Sequence, residues 1–148
     1  MDVVIRTAQT GDIEAILGLM AQLDDAATPL LTVDEASRVF HKMATYPNYA
    51  VYVAEAGGGR IVGTFALLVM DNLAHAGAPS AIVEDVCVEQ ARRGQGIGRA
   101  MMIFAMGQAR KHGCYKLVLS SNKARADAHR FYRSLGFVEH GLSFHVDL

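Results

Sequence analysis

The chain has 148 residues, of which 51% are hydrophobic and 20% are charged. This composition excludes an intrinsically disordered protein, and the length suits one domain. The formal net charge of −1 gives no general attraction to nucleic acid or to an anionic membrane. No apolar run approaches the length of a membrane span. We therefore expect a single domain over residues 1–148, located in the cytoplasm, with neither nucleic acid nor membrane as a partner.

The two cysteines give no sign of a metal site or of a disulfide. Cys87 falls in an apolar strand and Cys114 follows a helix, and neither has a C-x-x-C spacing or histidine companions. Both are predicted to be buried free thiols, and no metal is expected.

The N-terminal third predicts a strand and two helices. A short β-rich run at residues 3–5 is followed by apolar residues at helical spacing from Ile13 to Leu23. A second helix is predicted after Thr32, because Thr32 and Glu35 have the spacing of a capping box.

The middle of the chain predicts a β-hairpin and a third strand. Residues 49–55 and 61–70 are strand-like and are separated by three glycines, Gly57 to Gly59. The polar loop 71–80 contains His75, which we interpret as a solvated residue rather than a base. A third long strand is predicted over residues 81–89.

A basic glycine turn follows that strand. Residues 83–99 read V-E-D-V-C-V-E-Q-A-R-R-G-Q-G-I-G-R, a strand, a turn with three spaced glycines and the start of a helix. Glycines let the backbone curl tightly toward a ligand, and the first N–H groups of a helix suit a phosphate. Arg92, Arg93 and Arg99 add full positive charges. The pattern predicts an anion-binding turn for a phosphorylated cofactor.

Two common phosphate-binding motifs do not match. A nucleoside triphosphate P-loop requires Lys-Ser/Thr after its last glycine, whereas Gly98 precedes Arg99 and Ala100. A dinucleotide fingerprint requires G-x-G-x-x-G and a later acidic residue, whereas this turn has G-x-G-x-G and the next strand ends at Ser120-Ser121-Asn122.

The remaining residues continue the alternation of helices and strands. An apolar helix is predicted from Ile97, ended by the left-handed cap of Gly113, and a strand over residues 117–119 follows. A last helix over residues 124–135 is ended by Gly136, and residues 142–146 predict an edge strand. The fold class is therefore mixed α/β.

The hexapeptide Arg93-Gly94-Gln95-Gly96-Ile97-Gly98 resembles the Q/R-x-x-G-x-G/A signature of the GNAT superfamily of N-acetyltransferases. Asn122, the pair Phe131-Tyr132 and the pair Gly136-Phe137 extend this resemblance. It implies a splayed, mostly antiparallel sheet flanked by helices, acetyl-coenzyme A as cofactor, and a homodimer. The implied cofactor-binding residues are Val86, Cys87, Val88, Arg93, Gly94, Gln95, Gly96, Ile97, Gly98, Arg99 and Asn122.

Acetyl transfer to an amine suggests roles for two further residues. A protonated amine must lose a proton before it attacks, and a nearby carboxylate can accept it. Glu84 and Asp85 are adjacent in a strand and point to opposite faces unless a bulge intervenes. By resemblance to the family Glu84 is our candidate base and Asp85 the alternative. Tyr132, beside the apolar stripe of its helix, is the candidate donor to the leaving sulfur.

The acceptor is less closely defined by the sequence. Asp24 and Asp25 lie between the first two helices, a region that commonly borders the acceptor pocket in GNAT proteins. They are candidate substrate contacts, and Asp85 is a third candidate. Residues 83–86 and 113–117 resemble glucosamine-phosphate N-acetyltransferases, but Ser120 stands where that subfamily has an acidic residue. We expect a primary amine of a small molecule. The alternative is a module that binds acetyl-CoA or a partner without turnover.

Overall fold

The computed structural model describes residues 2–23 and 28–148. The chain divides between Val118 and Leu119 into two compact units. Within the described residues, the first unit contains the sheet and three α-helices, and the second contains one α-helix and the C-terminal segment. Asp24 and Asp25, two of the candidate substrate contacts, lie outside the described residues.

Five strands form the sheet of the first unit in the order β1-β2-β3-β4-β5. They are β1 (Val4–Thr7), β2 (Tyr49–Ala56), β3 (Arg60–Met70), β4 (Ser80–Val88) and β5 (Lys116–Val118). The first four strands pair antiparallel, and β5 pairs parallel to β4. The predicted mixed α/β class with a mostly antiparallel sheet is confirmed.

Helices cover both faces of this sheet. The helices of the first unit are α1 (Ile13–Met20), α2 (Val33–Met43) and α3 (Ile97–Lys111). On one face, the Cys87 thiol donates to the Leu19 carbonyl at the end of α1, 3.1 Å away. On the other face, Tyr52 stacks on Phe65 and meets Phe104 of α3 edge-on, each with 5.2 Å between ring centroids.

The helix ends follow the signals in the sequence. The side chain of Thr32 accepts from the Glu35 N–H while the Glu35 carboxylate accepts from the Thr32 N–H, which is the predicted capping box of α2. Gly113 has φ +73° directly after α3, so it is the predicted left-handed cap. Helix α1 ends at Met20, three residues before the predicted end.

The second unit contains α4 (Ala126–Ser134), which Gly136 follows with φ +92°. The predicted edge strand at residues 142–146 is wrong: the described structure has no strand after β5. Leu142, Phe144 and Val146 are 77%, 86% and 77% exposed. The alternation of a strand is present in the sequence, but a strand also needs a neighbour that accepts and donates its backbone hydrogen bonds, and the alternation does not reveal whether one is available within the chain.

Candidate active site

The glycine turn between β4 and α3 is shaped by two left-handed residues. Gly94 has φ +77° and Gly96 has φ +85°, a region that side-chain-bearing residues rarely adopt. A Cβ atom added to either glycine would find no atom within 4 Å, so the space beside the turn is open. The sequence therefore places glycines where the backbone needs them and where a ligand has room.

The start of α3 offers its backbone N–H groups to that space. Gly96 is the N-cap residue, and no described side chain caps the helix. The first N–H groups of a helix lack partners within the helix and carry partial positive charge. These donors, with the open space above Gly94 and Gly96, fit the pyrophosphate of coenzyme A.

The arginines of the turn have different surroundings. Arg92 pairs with Glu89 at 3.1 Å, and Glu89 also pairs with Arg60. Arg93 donates from its Nε to the Val88 carbonyl, 3.4 Å away, while Arg99 is exposed in the first turn of α3. Part of the positive charge of the turn is thus neutralised by Glu89.

Strand β4 carries a bulge at the candidate base. Thr64 pairs with Cys87 and Ala66 with Glu84, so the single residue Phe65 lies opposite Asp85 and Val86 together. Asp85 adopts φ +53°, a strained conformation for a residue with a side chain. Because of this bulge, Glu84 and Asp85 need not point to opposite faces of the sheet as adjacent residues of a regular strand do. Both side chains are exposed.

Beyond Ile82, β4 has an open edge. Its pairing with β5 covers only Ser80 to Ile82, whereas its pairing with β3 continues to Val88. On the β5 side, no described strand pairs with residues 83–88. This segment contains Val86, Cys87 and Val88, so its free edge is available for the extended arm of a cofactor. The pairing stops there because β5 ends at Val118.

The charges of the two bulge carboxylates act on Tyr49 of β2. Burial, followed by the charge of Asp85, raises the pKa of Glu84. Burial raises the pKa of Tyr49 most, followed by the charges of Asp85 and Glu84. The Tyr49 ring in turn stacks on Tyr46 with 5.9 Å between centroids.

In the second unit, Tyr132 lies between two aromatic rings. Its centroid is 5.1 Å from that of Phe131 and 5.7 Å from that of Phe137, the second contact edge-on. Burial raises the pKa of Tyr132, and the positive charge of Arg125 opposes that shift. A phenol with a raised pKa keeps its proton at neutral pH, so Tyr132 can act as a hydrogen-bond donor.

Asn122 has a local structural role in this unit. Its Oδ1 accepts from the Ala124 N–H at 2.9 Å, and its carbonyl accepts from the Arg125 N–H at 3.0 Å. These bonds form the turn that leads into α4. The two donors of its side-chain amide are not used in them.

The predicted site residues thus form two groups. The first unit brings the bulge, the open edge of β4 and the glycine turn into one continuous stretch of backbone, and Asn122 and Tyr132 belong to the second unit. His75 stacks on Tyr115 at 4.1 Å, a packing role consistent with its non-catalytic interpretation.

Tyr46 and Tyr49 are not among the site residues predicted from the sequence. Period-two alternation from Tyr49 could have assigned that residue to one face of β2. It could not have shown that the face is shared with Glu84, because that depends on the register of two strand pairs.

A separate cleft of about 560 Å³ lies between α1 and the β2–β3 turn. It is lined by Gly11, Asp12, Ala15, Gly18, Leu19, Gln22, Gly59, Arg60, Ile61 and Glu89. None of the predicted site residues that the structure describes lines it. We therefore base the site on the bulge and the glycine turn, where the chemistry-bearing groups are.

Comparison with known proteins identifies the family. The family model described as acetyltransferase (GNAT) family matches residues 19–137, which include the bulge, the glycine turn and α4. The chain belongs to this family and is an acyltransferase that transfers an acetyl group to an amine. Acetyl-CoA is the acyl donor of the family.

Relatives and a solved structure support this assignment. The chain is 28% identical to a glucosamine 6-phosphate N-acetyltransferase from Trypanosoma brucei brucei, over 100% of this chain and 97% of the relative. It is 33% identical to glucosamine 6-phosphate N-acetyltransferase 1 from Oryza sativa subsp. japonica, over 91% of this chain and 81% of the relative. A solved structure from Agrobacterium tumefaciens str. C58 has a TM-score of 0.90 at 35% identity, covering 98% and 99% of the two chains.

No helix in the described residues is both long and apolar enough to span a membrane.

Proposed function

We propose that this chain transfers the acetyl group of acetyl-CoA to a primary amine of a small molecule by direct attack in a ternary complex. The observation that carries the proposal is the continuity of β4: the bulged carboxylates, the open strand edge and the anion-binding turn follow one another within residues 84–99. Holding two reactants along one such stretch lowers the barrier by proximity. We take residues 1–148 as one domain, since the family match spans both units.

Cofactor binding is assigned to the backbone of the turn and of the strand. The N–H groups at the start of α3 bind the pyrophosphate, with Arg93 and Arg99 adding charge. The free edge of Val86 to Val88 pairs with the pantetheine arm, and the unused amide donors of Asn122 make a further contact. When bound, acetyl-CoA supplies the thioester acetyl group.

Glu84 is assigned as the base. The pKa of Glu84 is raised toward that of the ammonium ion whose proton it must accept. The Glu84 side chain is also exposed, so an amine can reach it. An ordinary alkylamine has a pKa of about 10.4, so it arrives as an ammonium ion and must lose a proton before it attacks. Glu84 accepts that proton directly or through a water molecule.

Tyr132 is assigned as the donor to the leaving sulfur. Its pKa is raised by burial, so the phenol is protonated throughout the neutral range. A hydrogen bond to sulfur becomes stronger as negative charge develops there, which lowers the barrier. If Tyr132 served only for packing, a phenylalanine could take its place.

The acceptor is tested by a panel of amines. Thiol release from acetyl-CoA is measured with glucosamine 6-phosphate, glucosamine, a linear diamine and an aminoglycoside. Glucosamine 6-phosphate is included because the relatives are named for it. Thiol release with at least one amine, lost in Glu84→Gln, supports the proposal. Absence of release with every amine, while acetyl-CoA still binds, would leave the non-catalytic binding module.

A homodimer is the proposed assembly. Residues 142–148 alternate apolar and polar side chains, and Leu142, Phe144, Val146 and Leu148 are all largely exposed in the single chain. An unpaired segment with this alternation can add as a strand to a second copy of the chain. Light scattering should give a dimer for the parent and a monomer for Phe144→Ser, and a monomeric parent would contradict the assembly. Ser143→Ala, on the polar side of the same segment, is the control.

A further inference from the structure

Tyr49 and Glu84 share one face of the sheet. Val51 pairs with Ala66, and Ala66 pairs with Glu84, so these three residues form one cross-strand row. Tyr49 is two residues from Val51 and therefore points to the same face. Cys87 lies on this face as well, because its partner Thr64 is two residues from Ala66. Since α1 covers this face at Cys87, Tyr49 and Glu84 lie on the α1 side of the sheet.

Asp85, the bulged residue next to Glu84, contributes a second carboxylate. The charges of both Asp85 and Glu84 act on the Tyr49 phenol, and Asp85 acts on the Glu84 carboxyl. Asp85 holds a strained φ of +53° in this position. Backbone strain of this kind persists where the surrounding structure imposes it, and it is concentrated at functional sites.

These two negative charges have no ion-pair partner among the described side chains. The described salt bridges involve other acidic residues, and only burial and Asp85 shift the pKa of Glu84. Tyr49, on which both of these charges act, stacks on Tyr46 with an angle of 22° between the rings. Two carboxylates without a counter-charge and two aromatic rings together favour a cation, because each ring presents a negative π face.

We propose that Tyr46, Tyr49 and Asp85 bind the acceptor amine as an ammonium ion and hold it beside Glu84. This inference rests on the proposed function, and it assigns different roles to the two carboxylates. Asp85 and the rings select a cation. Glu84 then accepts one N–H proton, so that the ammonium ion and the carboxylate become a neutral amine with a free electron pair and a carboxylic acid.

The binding test compares two probes that differ in charge. Butylammonium and 1-butanol have the same chain length, and each is titrated into the full chain at pH 7 without acetyl-CoA, followed by NMR. We expect butylammonium to bind about 3- to 30-fold more tightly than 1-butanol, as a cation–π contact and a partly screened charge imply. Tyr49→Leu and Asp85→Asn should each remove most of this preference, and Tyr49→Phe should retain it because the ring remains.

Tyr52→Phe is the matched control. Tyr52 is on the same strand but packs on Phe65 and Phe104 on the opposite face, so its hydroxyl should not affect the preference. In turnover, Asp85→Asn should raise the KM of the amine about 3- to 30-fold. The fall in kcat should be smaller, because loss of the Asp85 charge lowers the pKa of Glu84 only in part. A structural defect would also lower Tm.

Failure of this inference is distinct from failure of the proposed function. Equal binding of the two probes by the parent, or an unchanged preference in both Tyr49→Leu and Asp85→Asn, overturns the ammonium site even if thiol release is observed. Absence of thiol release with every amine overturns the acetyl transfer proposed above. The probe titration is made without acetyl-CoA, so its result stands in either case.

Discussion

The glycine turn and the β4 bulge are neighbours in the chain, but the ligands that we propose for them would be recognised by different means. The turn offers backbone N–H groups from left-handed glycines and the start of α3. The bulge offers side chains, Glu84 and Asp85, beside tyrosines that come from a distant part of the chain. A backbone site can bind the same cofactor across a whole family, whereas a side-chain site can change with the acceptor.

This difference explains what the comparisons define and what they leave open. The family match and the relatives agree on acetyl transfer to an amine. The acceptor depends on the side chains around the bulge, so the acceptor of a relative that is about 30% identical need not be the acceptor of this chain. Variants in the turn and in the bulge test whether the two regions act separately.

The largest effect is expected at the turn. Gly96→Val should abolish acetyl-CoA binding, because it places a side chain in the open space above the helix start. It also strains a residue at φ +85°, which costs roughly 1–2 kcal/mol. Gly113→Val introduces similar strain at φ +73° but lies at the other end of α3, so it should destabilise the fold without blocking the cofactor.

Calorimetric titration with acetyl-CoA and thermal unfolding of both variants separate these effects. Arg93→Ala should only weaken binding, since the backbone donors remain. Parent-like binding by Gly96→Val, or equal loss of binding in Gly113→Val, would place the cofactor elsewhere.

The next largest effect is expected at the bulge. Glu84→Gln should lower turnover by about 10²–10⁴-fold if Glu84 is a general base. Because more amine is already neutral at higher pH, the deficit should shrink between roughly pH 6 and pH 9.5. Acetyl-CoA affinity should not change. Glu14→Gln, at an exposed carboxylate in α1, is the control for loss of a charge. A deficit that is constant with pH would indicate a structural role for Glu84.

A smaller effect is expected in the second unit. Tyr132→Phe should lower kcat by about 10²-fold, the lower end of proton-transfer contributions, while the KM of acetyl-CoA remains near that of the parent. Higher pH should not restore the rate, since amine deprotonation does not replace a donor to sulfur. Tyr115→Phe, which removes a hydroxyl from a partly exposed tyrosine, is the control. A parent-like rate for Tyr132→Phe would exclude the hydroxyl from the mechanism.

The two regions also differ in how far the sequence predicted them. The strands β2 to β4, the capping box at Thr32, the start of α3 at Ile97 and the cap at Gly113 follow from local patterns, because each depends on residues a few positions apart. Tyr49 could not be predicted in this way, because its neighbours depend on the register of β2 with β3 and of β3 with β4. The sequence did not predict the bulge at Glu84 and Asp85; it was considered only as a condition under which the two side chains would not point to opposite faces. The failed edge strand at residues 142–146 has a similar cause, since alternation does not reveal whether a partner strand is available.

The smallest expected effect concerns stability, and it distinguishes a carboxylate kept for function from one that stabilises the fold. Burial and Asp85 raise the pKa of Glu84 in the folded protein, so folding favours its protonated form. The stabilising contribution is present below the unfolded-state pKa of about 4.3 and is lost as the pH rises through the raised folded-state pKa. At pH 7 the charged Glu84 therefore destabilises the fold, and Glu84→Gln should raise Tm.

Glu35 gives the opposite sign. Hydrogen bonds from the Thr32 backbone and side chain lower the pKa of Glu35, so its contribution to stability is present at neutral pH and is lost as the pH falls through the lowered value. Glu35→Gln should lower Tm at pH 7, by a small amount because glutamine can also complete a capping box. Thermal unfolding of both variants from about pH 4 to pH 8 should show shifts of opposite sign at neutral pH that diminish toward the acid end, where both carboxyls approach protonation. A lower Tm for Glu84→Gln at pH 7 would mean that Glu84 stabilises the fold as a charged group, which contradicts the assignment of the bulge as a site retained for binding and proton transfer.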